Sequence, residues 1–221
     1  MSELKFKGVI FDLDGTLACT LPDLTYSLNT TLAQMGFPTL DEAGVLRSVN
    51  YTVREFIRLS LPDDVQSDES VVDRCLETYT GIYAEHYCDH TYIYPGLADA
   101  IKVMKSAGIR LAVNTNKEHC EAVSMLEKLC PPDTFEIIVG AGLFRSKPNP
   151  EGALHIAETF GLKPEELCYI GDSNIDMETA GNAGMCAVGV SWGYRSVDVL
   201  RETGADVIVN SADEILRVIG L

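Results

Sequence analysis

Two periodicities divide the chain. From residue 93 onward, short runs rich in β-branched and other apolar residues alternate with longer amphipathic stretches, the pattern of strands joined by helical crossovers in a parallel sheet. Strands are expected near 109–114, 135–139, 167–171, 186–190 and 206–209, with helices near 96–107, 118–129, 150–160, 174–183, 196–203 and 212–219. The unbroken apolar run Gly8-Val9-Ile10-Phe11 adds a buried strand over 7–12, giving a sheet of about six strands.

Between that first strand and residue 93 no strand pattern appears, and helical periodicity is visible near 22–36, 41–60 and 68–88. Thr20 followed by Pro22 and Asp23 fits a helix start, with a hydroxyl cap, a proline in the first turn and an acid near the positive dipole end. Gly36-Phe37-Pro38 and Leu61-Pro62-Asp63-Asp64 punctuate the helices that follow, and Tyr94-Pro95-Gly96 marks the return to the sheet. The stretch is too long for a loop and too helical for a linker. The expectation is an α/β protein whose core is made of residues 1–17 and 91–221, interrupted by an all-helical cap domain of residues 18–90.

With 221 residues and 46% hydrophobic content, the chain can bury a core of that size. Its formal charge of -16, from 17 basic and 33 acidic residues, repels nucleic acid and anionic membrane surfaces, so neither is expected as a partner. A small anionic substrate is disfavoured too, unless a metal cation and local lysines reverse the field at the site. No stretch reaches about 18 apolar residues, and residues 1–7 lead into the first strand without the apolar segment of a signal peptide. The expected location is the cytoplasm. Cys19, Cys75, Cys88, Cys120, Cys130, Cys168 and Cys186 are scattered without a Cys-x-x-Cys pair and are expected mostly as reduced, small core residues.

Four segments carry candidate chemistry. Asp12-Leu13-Asp14-Gly15-Thr16 follows the first strand directly, and alternation points Asp12 and Asp14 to one side, where both can address one substrate. Gly15 lets the backbone turn away; the same residues also read as an ordinary acidic turn. Leu111-Ala112-Val113-Asn114-Thr115-Asn116-Lys117 ends a strand in a hydroxyl and an amide able to hold phosphate oxygens; alternatively, Thr115 caps the helix from 118.

In Arg145-Ser146-Lys147-Pro148-Asn149-Pro150 the prolines keep the lysine out of a regular helix, and its ammonium can pair with both a carboxylate and a phosphate. A solvated surface lysine is the plainer reading. Cys168-Tyr169-Ile170-Gly171-Asp172-Ser173-Asn174-Ile175-Asp176 ends another apolar strand in carboxylates. Hard oxygen ligands of this kind, clustered with Asp12, suit Mg²⁺, although acids in the first turn of a capped helix give the same letters. All four segments lie at or just beyond expected strand ends, where ligands bind in open parallel sheets.

Taken together and in this order, the four segments resemble the haloacid dehalogenase superfamily in its phosphatase branch, which shares an Asp-x-Asp-Gly-Thr loop, a Thr/Ser-Asn loop, a lysine loop and a Gly-Asp-Ser-x-x-Asp loop. The position of the helical insertion, the chain length and Ser191-Trp192-Gly193-Tyr194 resemble the phosphoglycolate phosphatase-like subgroup. Asn50-Tyr51-Thr52 departs from it, since relatives commonly carry a Gly-x-Gly turn there.

The resemblance implies a Rossmann-like parallel sheet with helices on both faces and a Mg²⁺-dependent phosphatase acting on a small phosphorylated metabolite such as 2-phosphoglycolate. It implies Asp12 as nucleophile, Asp14 as general acid and base, and Thr115, Asn116 and Lys147 on the phosphate. Mg²⁺ would sit on Asp12, the main-chain carbonyl of Asp14, Asp172, and Asp176 directly or through water. The expected assembly is a monomer or homodimer.

The same core also serves sugar phosphomutases of the β-phosphoglucomutase kind and pyrophosphatases. A dehalogenase or a phosphonatase fits less well, because Asp14 has no place in either. A non-catalytic binding protein would not need the full set of acids and Lys147. A zinc site at His86-x-Cys88-Asp89-His90 lacks a second ligand cluster.

Overall fold

The structure, a computed structural model, describes residues 5–49 and 51–221. Residues 1–4 of the expected leaderless start and Asn50 of the departing cap turn lie outside the described residues.

Strand β1 (Gly8–Phe11) is buried along its whole length. It is followed by the two-residue strand β2 (Ala18–Cys19) and helices α1 (Leu21–Gln34), α2 (Glu42–Leu46), α3 (Val53–Ser60) and α4 (Glu69–His86). Strand β3 (Tyr92–Ile93) pairs with β2 in a short ribbon. Then come α5 (Leu97–Ser106), β4 (Arg110–Glu118), α6 (His119–Leu129), β5 (Ile137–Ala141), α7 (Glu151–Phe160), β6 (Leu167–Gly171), α8 (Asn174–Ala183), β7 (Cys186–Val190), α9 (Val197–Glu202), β8 (Val207–Val209) and α10 (Ala212–Ile219).

The chain divides into two compact units, one made of residues up to Ala18 together with Ile93–Leu221 and the other of Cys19–Tyr92. In the first, the six-stranded sheet runs in the order β5-β4-β1-β6-β7-β8, and its strand pairs are parallel. Central β1 has neighbours on both sides, so its side chains must be apolar on both faces. One face joins Ile10, Ala112 and Tyr169 to Ile156 and Phe160 of α7 and Met177 and Ala180 of α8. On the other, α5 packs on β4 and α10 packs on α5.

The sequence expectation for the sheet holds, with one correction. The strand expected at 109–114 continues to Glu118, with a register irregularity between Asn114 and Glu118. Helix α6 therefore begins at His119 with Glu118 at its cap and no side-chain cap bond. Thr115 does not cap it; its hydroxyl accepts from the main-chain N–H of Lys117 at 3.2 Å.

In the second unit, the stretch expected as one helix over 41–60 is two. Asp41 caps α2 by accepting from the Gly44 N–H, and Thr52 caps α3 by accepting from the Glu55 N–H, so the segment contains two independent starts. Thr20 does not cap α1 with its side chain, because its backbone is helical (φ -102°, ψ -8°) rather than extended. The β2–β3 ribbon escaped the sequence pattern because two residues carry no alternation.

Helix α4 buries Val72, Cys75, Tyr79 and Tyr83 at helical spacing. Tyr79 stacks on Tyr83 at 5.3 Å between ring centroids and meets Phe56 of α3 edge-on at 5.6 Å. Of the seven cysteines, Cys75 and Cys168 are buried and Cys120 is exposed, so the expectation of mostly core thiols fails; all seven are free. Among the described residues no helix is long and apolar enough to cross a membrane.

Asp23, expected only as a first-turn acid, is buried and ties down the chain that follows α4. It accepts from the main-chain N–H of His90 (3.0 Å) and of Thr91 (2.8 Å) and from the Thr91 hydroxyl (2.7 Å). Asp23→Ala leaves the buried Thr91 donors and the half-buried His90 N–H without their acceptor and is expected to cost about 1–3 kcal/mol. Urea unfolding measures this; an unchanged midpoint would mean water replaces the carboxylate without loss.

Candidate active site

Parallel register brings the chemistry to one edge. Phe11 lies opposite Val113 on one side and Ile170 on the other, so the residues just beyond, Asp12, Asn114 and Gly171, emerge side by side. The chain runs from β1 to β4 and β5 and then crosses to β6 on the opposite side of β1. This is the switch in strand order where open parallel sheets form ligand crevices.

Asp12 is 3% exposed, and its main-chain N–H donates to the Ile170 carbonyl at 2.9 Å. Gly15 turns the loop with φ +81°, and a Cβ there would lie 2.4 Å from Asp172 Oδ2. Thr16 Oγ1 donates to Asp172 Oδ1 at 3.0 Å, and the Tyr194 N–H donates to Asp172 Oδ2 at 2.7 Å. Gly193 lies so close that a Cβ would fall 2.1 Å from Asp172 Cβ. The Trp192 indole N–H donates to the Thr16 carbonyl at 3.1 Å, joining the 191–194 turn to the first loop.

Asp176 turns back from α8 through a capping box with Ser173. Its Oδ2 accepts from the Ser173 hydroxyl (2.6 Å) and N–H (3.0 Å), and its Oδ1 accepts from Lys147 Nζ at 2.6 Å. Lys147 also pairs with Asp12 Oδ1 at 2.9 Å. Asn116 holds this lysine's backbone on both sides. Its Oδ1 accepts from the Lys147 N–H at 2.9 Å, and its Nδ2 donates to the Lys147 carbonyl at 3.3 Å. Thr115 and Asn116 are both buried. Asp14 sits apart from the acidic group and pairs through Oδ1 with Lys117 Nζ at 3.1 Å.

The charges do not balance. Oxygens of Asp12, Asp172 and Asp176 lie within 4.8 Å of one another, all buried, with Lys147 as the ammonium among them. Burial and then the charge of Asp176 push the Asp12 carboxyl well up, against the pull of Lys147. Burial and Asp176 raise Asp172 to about 7, with the Tyr194 and Thr16 bonds and Lys147 opposing. Burial works against the Lys147 charge, but Asp12 and Asp176 outweigh it and hold the ammonium well above its ordinary value. Burial comes first for both carboxyls and repulsion among the acids adds to it, while the same acids hold Lys147 charged. A hard oxygen set with a surplus of buried negative charge fits a divalent cation.

The sequence-expected residues Asp12, Asp14, Thr115, Asn116, Lys147, Asp172 and Asp176 are all placed at this edge. Residues that sequence reasoning left without a role are Thr16 and Ser173, which hold the acids, and Lys117, which holds Asp14. Gly193 and Tyr194 were read only as part of an aromatic turn. Within the alternative zinc set His86 Nδ1 meets Asp89 Oδ2 at 2.8 Å, but His90 Nδ1 is turned to Asp23 Oδ1 at 3.0 Å.

Known proteins match along nearly the whole chain. The profile of the haloacid dehalogenase-like hydrolase family matches residues 9–190. A phosphoglycolate phosphatase of Chromobacterium violaceum is 34% identical over 95% of this chain and 94% of its own. One from Neisseria meningitidis is 33% identical over 95% of this chain and 92% of its own. A solved structure from Lactobacillus delbrueckii subsp. bulgaricus, provisionally assigned as a phosphoglycolate phosphatase, superposes with a TM-score of 0.90 at 31% identity, covering 98% of this chain and 100% of that one.

The raised Asp172 carboxyl makes stability depend on pH. With a folded value of about 7 and an unfolded value near 3.9, the folded chain keeps a proton that the unfolded chain has released between those values. Metal-free stability therefore falls as pH rises through that window, by up to about 1.4 kcal/mol per unit from this group. Denaturant unfolding of wild type and Asp172→Asn across pH 4.5–7.5 is expected to show a shallower slope in the variant. Identical slopes would mean that Asp172 does not hold the proton.

Proposed function

The chain belongs to the haloacid dehalogenase-like hydrolase family, and on that footing we propose that it is a Mg²⁺-dependent phosphatase hydrolysing a small phosphomonoester, 2-phosphoglycolate or a close analogue, through an aspartyl-phosphate. The observation that carries the reading is the separation of the two loop acids. Asp12 lies in the buried carboxylate group with Lys147, whereas Asp14, two residues on, stands outside that group with its own partner Lys117.

In the first step an Asp12 carboxylate oxygen attacks phosphorus and the ester P–O bond breaks, while Asp14 gives its proton to the departing alcohol oxygen. In the second, Asp14 takes a proton from water as that water attacks the aspartyl-phosphate, releasing inorganic phosphate and restoring Asp12. Lys147 faces Asp12 and is placed to neutralise phosphoryl oxygens as they approach. The Thr115 hydroxyl, which already accepts from Lys117 N–H, keeps its own proton to donate to the phosphate. Asn116 clamps the lysine with its side chain and so positions it toward the phosphate.

Asp12, the Asp14 carbonyl and Asp172 would hold Mg²⁺, with Asp176 joining directly or through water, and the bound cation would neutralise charge between nucleophile and phosphate. The substrate reading draws on the relatives' activity. The proposed location is the cytoplasm, which the scattered free thiols favour.

Phosphate release from a panel of 2-phosphoglycolate, sugar phosphates, nucleotides and pyrophosphate, with Mg²⁺ or EDTA, tests the proposal. Release from 2-phosphoglycolate is expected with Mg²⁺ only, and Asp12→Asn is expected to lose about a thousandfold or more. Activity persisting in freshly purified Asp12→Asn would rule out the nucleophile. Isomerisation of a sugar phosphate without release would indicate a mutase, and preference for pyrophosphate a pyrophosphatase. Asp14→Asn is expected to lose about 10²–10⁴-fold in kcat; an unchanged rate would remove it as acid and base.

A further inference from the structure

Trp192 is the chain's single tryptophan, and its indole N–H donates to the Thr16 carbonyl, 176 residues away in sequence, at 3.1 Å. That N–H is the one polar group the side chain has. Thr16 belongs to the loop after β1 and Trp192 to the turn after β7, and these strands are not neighbours, because β6 runs between them. The bond therefore joins two segments on either side of the strand that delivers Asp172.

Both segments hold that acid. Thr16 Oγ1 donates to Asp172 Oδ1 at 3.0 Å, and the Tyr194 N–H donates to Oδ2 at 2.7 Å. A carboxylate held at each oxygen by a different segment keeps its orientation only while the two donors keep their separation. Each segment has a further anchor: the Ser191 N–H donates to the Val209 carbonyl at 3.0 Å, and the Tyr94 N–H donates to the Leu17 carbonyl at 3.0 Å. The Tyr94 and Trp192 rings lie 6.2 Å apart between centroids, within the range of aromatic contact, so the indole is braced by the residue that bonds the loop. Glycine stands between Trp192 and Tyr194, and a Cβ there would fall 2.1 Å from Asp172 Cβ. The backbone of the turn thus lies directly against the acid, and a displaced turn displaces one of its two donors.

Building on the Mg²⁺ site proposed above, we propose that Trp192 is a positioning residue for the metal: its bond to Thr16 straps the two donors of Asp172 together and so fixes the orientation of a carboxylate that would hold Mg²⁺. Trp192 touches neither metal nor substrate in this scheme. Groups that orient a metal ligand typically set about 10–100-fold in metal affinity. Thr16 acts at that distance, and Trp192 acts through Thr16. Losing the strap weakens metal binding more than the fold, because the indole bond is only half-buried and water can take its place at the Thr16 carbonyl.

The test is calorimetric titration of the metal-free protein with Mg²⁺, beside denaturant unfolding without metal. Trp192→Phe, which keeps an aromatic ring but no donor, is expected to raise the Mg²⁺ Kd about tenfold with the metal-free midpoint little changed, and Thr16→Val to raise it about 10- to 100-fold. With the Thr16 hydroxyl gone the strap has nothing to aim, so Trp192→Phe added to Thr16→Val is expected to weaken binding by less than about twofold more. If Trp192→Phe does not fold, the tryptophan is replaced during expression by an analogue with sulfur in place of the indole N–H, which alters this position alone. A Kd within about twofold of wild type, or a double variant whose two effects multiply in full, would overturn the strap and leave the Mg²⁺ site standing. Lower metal-free stability with an unchanged Kd would likewise reduce Trp192 to a structural residue. A wild type that binds no Mg²⁺ would sink the metal reading on which the strap rests.

Discussion

Three carboxylates buried beside one ammonium are the constraint around which the carboxyl edge of this sheet is built. At separations of no more than 4.8 Å, two like charges repel by roughly 3 kcal/mol or more even at an effective dielectric near 20. Lys147 offsets part of this by standing between Asp12 and Asp176. Hydrogen bonds offset more: Asp172 accepts from Thr16 and Tyr194, and Asp176 from Ser173. Burial, together with the repulsion they leave, raises Asp12 and Asp172, in a chain whose net charge is already -16.

The rest of the unit is arranged to hold that cluster without slack. Apolar strands buried on both faces cannot slip by one residue without turning their side chains to the wrong layer, so the ends of β1, β4 and β6 stay level. Short loops then need small residues where backbone meets carboxylate, as at Gly15 and Gly193, where any Cβ would strike Asp172. Asn116 fixes the lysine loop by bonding the Lys147 backbone on both sides. Two buried ammonium groups result, Lys147 facing Asp12 and Lys117 facing Asp14, although only one residue lies between the two acids.

The helical unit of Cys19–Tyr92 is held by different means. Its interior is aromatic and aliphatic, with Phe56, Tyr79 and Tyr83 in contact, and its buried acid, Asp23, is satisfied by main-chain and hydroxyl donors. The surface pairs Arg54 with Glu69 and Asp73 are exposed, and such pairs contribute little.

The sheet, its strand positions and the seven candidate residues were legible in the chain because each rests on local information. An apolar run of strand length, a glycine at a turn and acids two residues apart are properties of neighbours in sequence. The extension of β4 to Glu118, the split of 41–60 into α2 and α3, and the failure of Thr20 to cap α1 were not legible, because strand pairing and backbone angle decide them and both are set by distant partners. The same holds for the residues that complete the site. Nothing beside Lys117 in the sequence says that it meets Asp14, and nothing near Gly193 or Tyr194 says that they enclose Asp172. Sequence alone determined which chemical groups are present and on which elements they stand. Tertiary structure decided which group each one faces, because an ion pair depends on distance in space and the strands that bring these groups together lie far apart along the chain.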